Sequence, residues 1–420
     1  MIGFARIILS LLTIIFVLNG TVEAQRFPTF INGAFSFGNA GGSPYALADT
    51  FLLESNPTAT KTIYLDFNGH HSVNNGWGHN IVFDAFDRDG DVNSFSNAEL
   101  IEIQKQFQNV AEDFLPFNVN VTTRDFGAAR LIKSNAADQF YGMRALNTQY
   151  KNGFGNGTGG IAFLNSFGSS DDTPVFSFNK GENNGAMTNS HEVGHALGLR
   201  HDGLNASTYH PGTGGTAATS WGPIMGAPFN TNVTQWNNGD YLGANQFEDD
   251  LAVITKPANG FGFRLDDHGN TTASATNLAA GPSISSWGVV EQRTDLDFFA
   301  FDFLTAGDLS LLINPFQGRP NLDILANFYD SNGVLLFSSN PVDDVNAMFN
   351  LQITTAGRYY LSIDGTGKTG VYSDYGSLGF FTVEGSFLSS VPEPTTGVLL
   401  VGLVLAGALR RTRKSNRSLA

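Results

Sequence analysis

Residues 191–202 read His191-Glu192-Val193-Gly194-His195-Ala196-Leu197-Gly198-Leu199-Arg200-His201-Asp202. Two histidines four apart share one face of a helix, with Cβ atoms about 5–6 Å apart. Two neutral imidazoles so placed can reach one Zn2+ at about 2.0–2.1 Å. The next helical turn cannot supply a third ligand to the same ion, so the chain must leave the helix and double back. Gly198 stands where that turn is needed, because glycine takes a positive φ without steric cost. His201 can then complete a three-histidine set whose fourth position stays open to water, the mark of a catalytic rather than a structural zinc site. Glu192, beside the first ligand, can hydrogen-bond that water without ligating the metal and is the expected general base. The plain alternative is a buried helix with stray histidines, but three of the chain's eight histidines fall between positions 191 and 201.

Working outward, the helix that carries the motif is expected to begin near Asn189 or Ser190. Upstream, Ser96 and Glu99 have capping-box spacing. Leu100, Ile103, Phe107, Val110, Ala111 and Phe114 then recur at steps of three and four, which predicts an amphipathic helix from Asn97. Strands are expected at 61–67 (KTIYLDF), 117–121 and 161–167 (IAFLNSF). Strand, helix, strand, strand and metal helix make an α/β layout, a mixed sheet with two main helices. Residues 25–57, rich in Gly, Ser, Pro and Asn, read as an irregular lead-in or short pro-segment. The α/β domain spans 58–260 and ends near Asn259-Gly260. Beyond Leu265 the helical period disappears. Short strands at 297–303, 309–313, 322–328 and 358–363, separated by turn signals such as Asp330-Ser331-Asn332-Gly333, predict an all-β sandwich.

The pattern HExxHxxGxxHD resembles the metzincin clan of zinc endopeptidases, and the Asp202 ending resembles its reprolysin or adamalysin branch. The resemblance covers residues 58–260. It implies a metzincin-like catalytic domain with a methionine turn below the zinc, for which Gly222-Pro223-Ile224-Met225-Gly226 is the match. In some metzincins a tyrosine two residues after that methionine approaches the zinc; Ala227 stands there in this chain. The clan also places an edge strand above the cleft to pair with extended substrate, and 161–167 is the match by position. Residues 265–388 resemble the bacterial pre-peptidase C-terminal domain, through DDHGNTTASAT, TDLDFFAFDF, AGRYYLSIDG and YSDYGSLGFF. That resemblance implies an accessory, non-catalytic β-sandwich.

The 420 residues contain no cysteine, so there is no disulfide, thiol nucleophile, thiolate metal site or cysteine switch. A net charge of −15 excludes nucleic acid as an expected partner, since phosphate neutralisation needs Lys and Arg. The acidic loop Asp84, Asp87, Asp89, Gly90, Asp91 and Asn93 does not fit the EF-hand register; a solvated turn and a Ca2+ site both stay open there. His70, His71, His79, His210 and His268 are expected in surface loops. Residues 1–24 have the layout of a signal peptide, with Arg6, an apolar run from Ile7 to Leu18 and Ala24 at the cleavage position. Near the other end, Pro392-Glu393-Pro394, an apolar run from Gly397 to Leu409 and a basic cluster resemble, over 391–414, the PEP-CTERM sorting signal. That resemblance implies an exosortase-type processing enzyme as partner, transient membrane contact and a bacterial cell-surface or extracellular-matrix location.

Together these readings predict an exported zinc-dependent endopeptidase acting on protein or peptide substrates, with His191, His195 and His201 as zinc ligands and Glu192 as base. Two rivals come from other classes. One is a surface adhesin or matrix protein that keeps a catalytically inactive metzincin fold, which the intact Glu192 argues against. The other is a carbohydrate-binding surface protein led by the sandwich.

Overall fold

In the computed structural model, the chain is described over residues 27–38, 42–149, 155 and 157–390. The expected signal peptide and sorting segment lie outside the described residues. The first elements are the strands β1 (Pro28–Ile31), β2 (Ala34–Phe37) and β3 (Leu53–Glu54). Residues 25–57 are therefore not wholly irregular, contrary to the expectation from their composition. Asn32 and Gly33 both take positive φ, 49° and 79°, and close the β1–β2 hairpin. Asn-Gly between two runs containing phenylalanine is the signature of such a turn.

The next elements are β4 (Lys61–Asp66), the hairpin β5 (His70–Asn75) and β6 (Gly78–Phe83), and helix α1 (Asn97–Phe114). The α1 capping box forms as expected, with the Ser96 side chain and the Glu99 side chain each accepting from the other's backbone N–H. Ile103, Phe107, Val110, Ala111 and Phe114 are buried along one face. Burial of such a side chain stabilises by about 1.5–3 kcal/mol. After α1 come β7 (Asn120–Thr122), β8 (Tyr141–Asn147), β9 (Gly160–Ile161), β10 (Val175–Ser177) and helix α2 (Glu182–Leu197). The strands form an eight-stranded mixed sheet in the order β2-β1-β3-β7-β4-β8-β10-β9. Its centre, β7-β4-β8-β10, is parallel, and β9 runs antiparallel on the edge.

Two expectations need correction. The strand foreseen at 161–167 stops at Ile161. Beyond it the backbone N–H groups of Asn165 and Phe167 donate to His195 O (3.0 Å) and Ala196 O (2.9 Å), capping free carbonyls of α2 instead of pairing with a strand. Helix α2 begins at Glu182, well before Asn189. Its first half, ENNGAMTNS, is weakly helical by propensity, and tertiary packing overrides it. A β-carbon on Gly185 would come within 2.5 Å of Gln106, so this small residue lets α2 lie close on α1.

The short β11 (Trp221–Pro223), β12 (Val233–Gln235) and helix α3 (Asp250–Ile254) come next. The rest is all-β: β13 (Thr276–Leu278), β14 (Ile284–Val290), β15 (Asp297–Phe303), β16 (Gly307–Pro315), β17 (Ile324–Tyr329), β18 (Leu335–Ser339), β19 (Ala347–Ile353), β20 (Gly357–Gly365) and β21 (Gly379–Ser389). They make a five-stranded sheet, β13-β15-β20-β17-β18, and a four-stranded one, β14-β21-β16-β19. The rows of buried residues on the two sheets meet, as in β16 and β17 where alternate residues are buried.

The sandwich is not hung on a loose tether. One hydrophobic core runs through both halves. The Phe27 ring sits 5.0 Å from Phe316 and 5.7 Å from Phe380. Glu112 of α1, fully buried, accepts from the backbone N–H of Phe380 and Asn321. Gln235 donates to Asn321 O at 2.6 Å, and Arg319 donates to Pro228 O at 2.6 Å. The sandwich thereby braces the segment that runs under the metal-motif helix. Among the described residues, no helix is long and apolar enough to cross a membrane.

Candidate metal centre

Helix α2 ends where the sequence places a turn. Gly198 is left-handed, φ 116°, and its N–H donates to Gly194 O and His195 O. The chain then reverses, and Asp202 N donates to Met225 O at 2.9 Å. This brings His201 back beside the two helix histidines. Ring centroids are 4.8 Å apart for His191 and His195, 5.2 Å for His191 and His201, and 4.7 Å for His195 and His201. One ring nitrogen from each lies within 4.8 Å of the others.

The rings are held in the form that ligates. His191 Nδ1 pairs with Ile224 O at 2.9 Å and His195 Nδ1 with Leu199 O at 2.8 Å. A carbonyl can only accept, so each Nδ1 carries the proton and each Nε2 presents a lone pair. His195 Nε2 faces His201 Nε2 at 2.9 Å, so the two nitrogens are close enough to bind one ion between them. Burial lowers the His191 pKa to about 3, with the neighbouring His195 adding to the effect. Burial likewise lowers His201 to about 4 and lowers His195. All three therefore stay neutral near pH 7, as zinc binding requires. The donor set, three neutral imidazoles and no thiolate or carboxylate, fits Zn2+ with one position left over.

Glu192 lines, together with His191 of this cluster, a cavity of about 440 Å3 whose wall also includes Gly160, Met187, Thr188, Tyr209 and Ala227. Burial pushes its carboxyl up to about 8. Met225 is fully buried beneath α2, where a β-carbon on Gly194 would come within 2.5 Å of its Sδ. The fit needs glycine at 194 and puts Met225 under the turn between the first two histidines. Ala227 lines the cavity and brings no hydroxyl.

Tyr209 was not foreseen. Its ring lies 4.4 Å from that of His201 and it forms part of the cavity wall. Nothing in local sequence marks it, because its place depends on the reversal after Gly198. Of the five remaining histidines, His71 and His79 are exposed and His70 is half-buried, but all three lie on the β5–β6 hairpin strands and not in loops. His210 is not a surface residue: it is 4% exposed, with its ring 4.9 Å from Tyr241 and 5.4 Å from Trp221. His268 is half-buried and bonded to Thr276 Oγ1 and Trp287 O. In the 84–93 loop, the side chains of Asp87, Asp89 and Asp91 accept N–H groups of the loop itself, as in a solvated turn, and one carboxylate oxygen each of Asp87, Asp89 and Glu99 lie within 4.8 Å of one another.

Residues 104–202, from inside α1 to the end of the histidine motif, match the reprolysin-like metallo-peptidases of family M12B. Residues 390–414 match the PEP-CTERM protein-sorting motif, which marks the chain for export to the cell surface. The chain is similar to the pre-peptidase C-terminal domain of collagenase from Bacillus anthracis, at 14% identity over 27% of this chain and 96% of that one, TM-score 0.20. Two periplasmic inhibitors of g-type lysozyme match with similar coverage: PliG of Aeromonas hydrophila (10% identity, 27% and 97% covered, TM-score 0.19) and PliG of Salmonella Typhimurium (16%, 27% and 99%, TM-score 0.18). No curated protein matches the chain.

Proposed function

We propose that this chain is an exported, zinc-dependent endopeptidase, with His191, His195 and His201 holding the metal and Glu192 acting as general base. The observation that carries the reading is the convergence of three neutral imidazole nitrogens within 4.8 Å, beside a buried carboxylate that faces an open cavity. When bound, zinc would supply the Lewis acidity that polarises a peptide carbonyl and activates water. Glu192 takes the proton of the attacking water and returns it to the leaving amine. Its low-dielectric surroundings raise its basicity into the range where both transfers are feasible near neutral pH.

The cavity wall explains why a polypeptide would be the substrate. β9 is the edge strand of the mixed sheet, and Gly160 on it lines the same cavity as Glu192. An extended peptide added along that edge would bring a scissile bond over Glu192. Residues 58–260, together with strands β1–β3 that complete their sheet, form the catalytic unit in this reading, and 265–388 an accessory sandwich packed against it. The C-terminal sorting segment supplies the encounter with an exosortase.

The test is casein hydrolysis by purified protein, with zinc content measured on the same sample. Activity that tracks zinc, falls on chelation and returns on adding Zn2+ supports the reading. Zinc-loaded protein that leaves casein and a peptide library uncut would overturn it.

A further inference from the structure

Part of the cavity beside Glu192 is walled by Gly226, Ala227 and Phe229. Pro228, between the last two, is buried, and its carbonyl accepts from an arginine of the sandwich. That residue, Arg319, lies on the loop from β16 to β17 and is only 4% exposed. Its Nη2 donates to Pro228 O at 2.6 Å and to Thr231 Oγ1 at 3.2 Å. Its Nη1 reaches Asn183 O, in the first turn of α2, at 3.5 Å. Thr231 also donates to Pro228 O, from farther away: 3.3 Å from its N and 3.0 Å from its Oγ1. Next to the arginine, Pro320 O accepts from Thr234 N at 3.3 Å. Burial lowers the Arg319 pKa to about 10 and Asp113 pulls the other way, so the guanidinium is charged near neutral pH.

We propose that Arg319 of the sandwich positions the 226–231 wall of this cavity and thereby sets which substrate side chain the cavity admits, an inference that rests on the endopeptidase reading above. Residues 226–231 form neither helix nor strand, so their shape depends on what they are tied to. A guanidinium donates in a fixed planar fork, so one residue holds Pro228 and Thr231 together. Charge-assisted hydrogen bonds of this kind are roughly twice as strong as neutral ones. Without Arg319, Pro228 O keeps only Thr231 of its own turn, and the turn can shift while β11 and β12 stay paired. Ala227 N is anchored on His210 O at 2.8 Å, so the freedom falls on Phe229, the bulkier wall residue. The histidines do not hang on this turn: His191 and His195 are tied to Ile224 O and Leu199 O. Arg319 is thus a positioning residue that acts on substrate binding and selectivity before the chemical step. The sandwich, itself non-catalytic, helps to shape the cleft.

The experiment compares full-length R319A and R319K with wild type in zinc content, in hydrogen exchange read by mass spectrometry, and in kcat and KM. The kinetics use two peptides that differ only in one side chain beside the scissile bond, small in one and aromatic in the other. R319A should keep its zinc and lose little kcat, while KM rises and the kcat/KM ratio between the two peptides changes, each by about tenfold. Exchange should quicken in 226–231 and not in α1. R319K keeps the charge and loses the fork, so it should fall between; if R319A does not fold, R319K is read in its place. The proposal is overturned if the folded variant keeps the wild-type peptide ratio, keeps wild-type exchange at 226–231, or loses kcat/KM equally on both peptides, as loss of folded protein would. A zinc-loaded wild type that cuts neither peptide sinks the endopeptidase reading alone. Exchange then decides the role of Arg319: faster exchange at 226–231 in the variant upholds it, and unchanged exchange overturns it.

Discussion

The Glu192 carboxylate occupies the space that a side chain at position 160 would need: a β-carbon on Gly160 would lie 2.5 Å from Glu192 Oε1 and 2.6 Å from Phe176 O. Edge strand and base are thus fitted to each other. Gly160→Ala must push either Glu192 out of position or β9 off β10. Small misplacements of a catalytic group cost on the order of 10^2-fold in rate. We expect G160A to lose kcat by roughly that factor, with zinc content unchanged and thermal stability only modestly lower. Steady-state kinetics on a fluorogenic peptide, with metal analysis, would check it; an unaffected kcat would mean that the cleft wall does not constrain the base.

His201→Ala should lose zinc affinity and activity together, since a two-histidine site is incomplete. His210→Ala should keep its zinc, because that ring is packed between Trp221 and Tyr241 and does not join the cluster. Its cost should appear as stability, about 1–3 kcal/mol for a buried group that accepts the Gly212 N–H. Competition with a chromogenic chelator and a denaturant titration separate the two effects. Full zinc in H201A at near-normal rate would remove His201 from the ligand set.

Folding should depend on pH through Asp113. This carboxyl is buried under α2, where Ser190 Oγ donates to it at 2.5 Å. Burial pushes its pKa up from the ordinary 3.8 to about 7, against the pull of Ser190 and Arg319. The folded state therefore holds a proton that the unfolded chain has released between these two values. Stability is greatest below that window and falls as pH rises through it, by at most about 4 kcal/mol. Measured on metal-free protein by denaturant unfolding from pH 4 to 8, Asp113→Asn should flatten this slope. It will not abolish it, because Glu112 and Asp250 are raised in the same direction by burial. A slope identical to wild type would show that Asp113 does not titrate in this window.

What could be read from sequence was what local chemistry determines. The Ser96–Glu99 box fixed the start of α1, Gly198 fixed the end of α2, and the phenylalanine-rich run 297–303 set off by turn signals matched β15 to the residue. What could not be read depends on neighbours distant in sequence. The weak helix-formers of 182–190 become helical only against α1. The apolar run 162–167 leaves the sheet because α2's free carbonyls capture it. β8, buried at every position, has no alternating pattern to betray it. Tyr209 becomes a neighbour of the histidine cluster only when the chain reverses after Gly198.

Processing should shorten the chain at both ends. The mature protein is expected to lack residues 1–24, because Ala24 comes after an apolar run suited to signal peptidase. It should also lack most of the segment beyond Pro394, since the run from Gly397 to Leu409 falls short of the roughly 20 residues needed to span a bilayer and ends against Arg410 and Arg411. Intact mass of surface-released protein decides the matter. A mass that includes residues 395–420 would instead indicate a retained tail anchor.

The most direct test of Glu192 as the base is to measure zinc content and peptide hydrolysis on one preparation of Glu192→Ala beside wild type. Glu192 touches neither the metal position nor the helix contacts that hold the histidines. The variant should keep one zinc per chain while its rate falls by a factor on the order of 10^2 or more. Wild-type turnover at equal zinc occupancy would contradict the assignment of Glu192 as the base, and with it the proposed chemistry of the site.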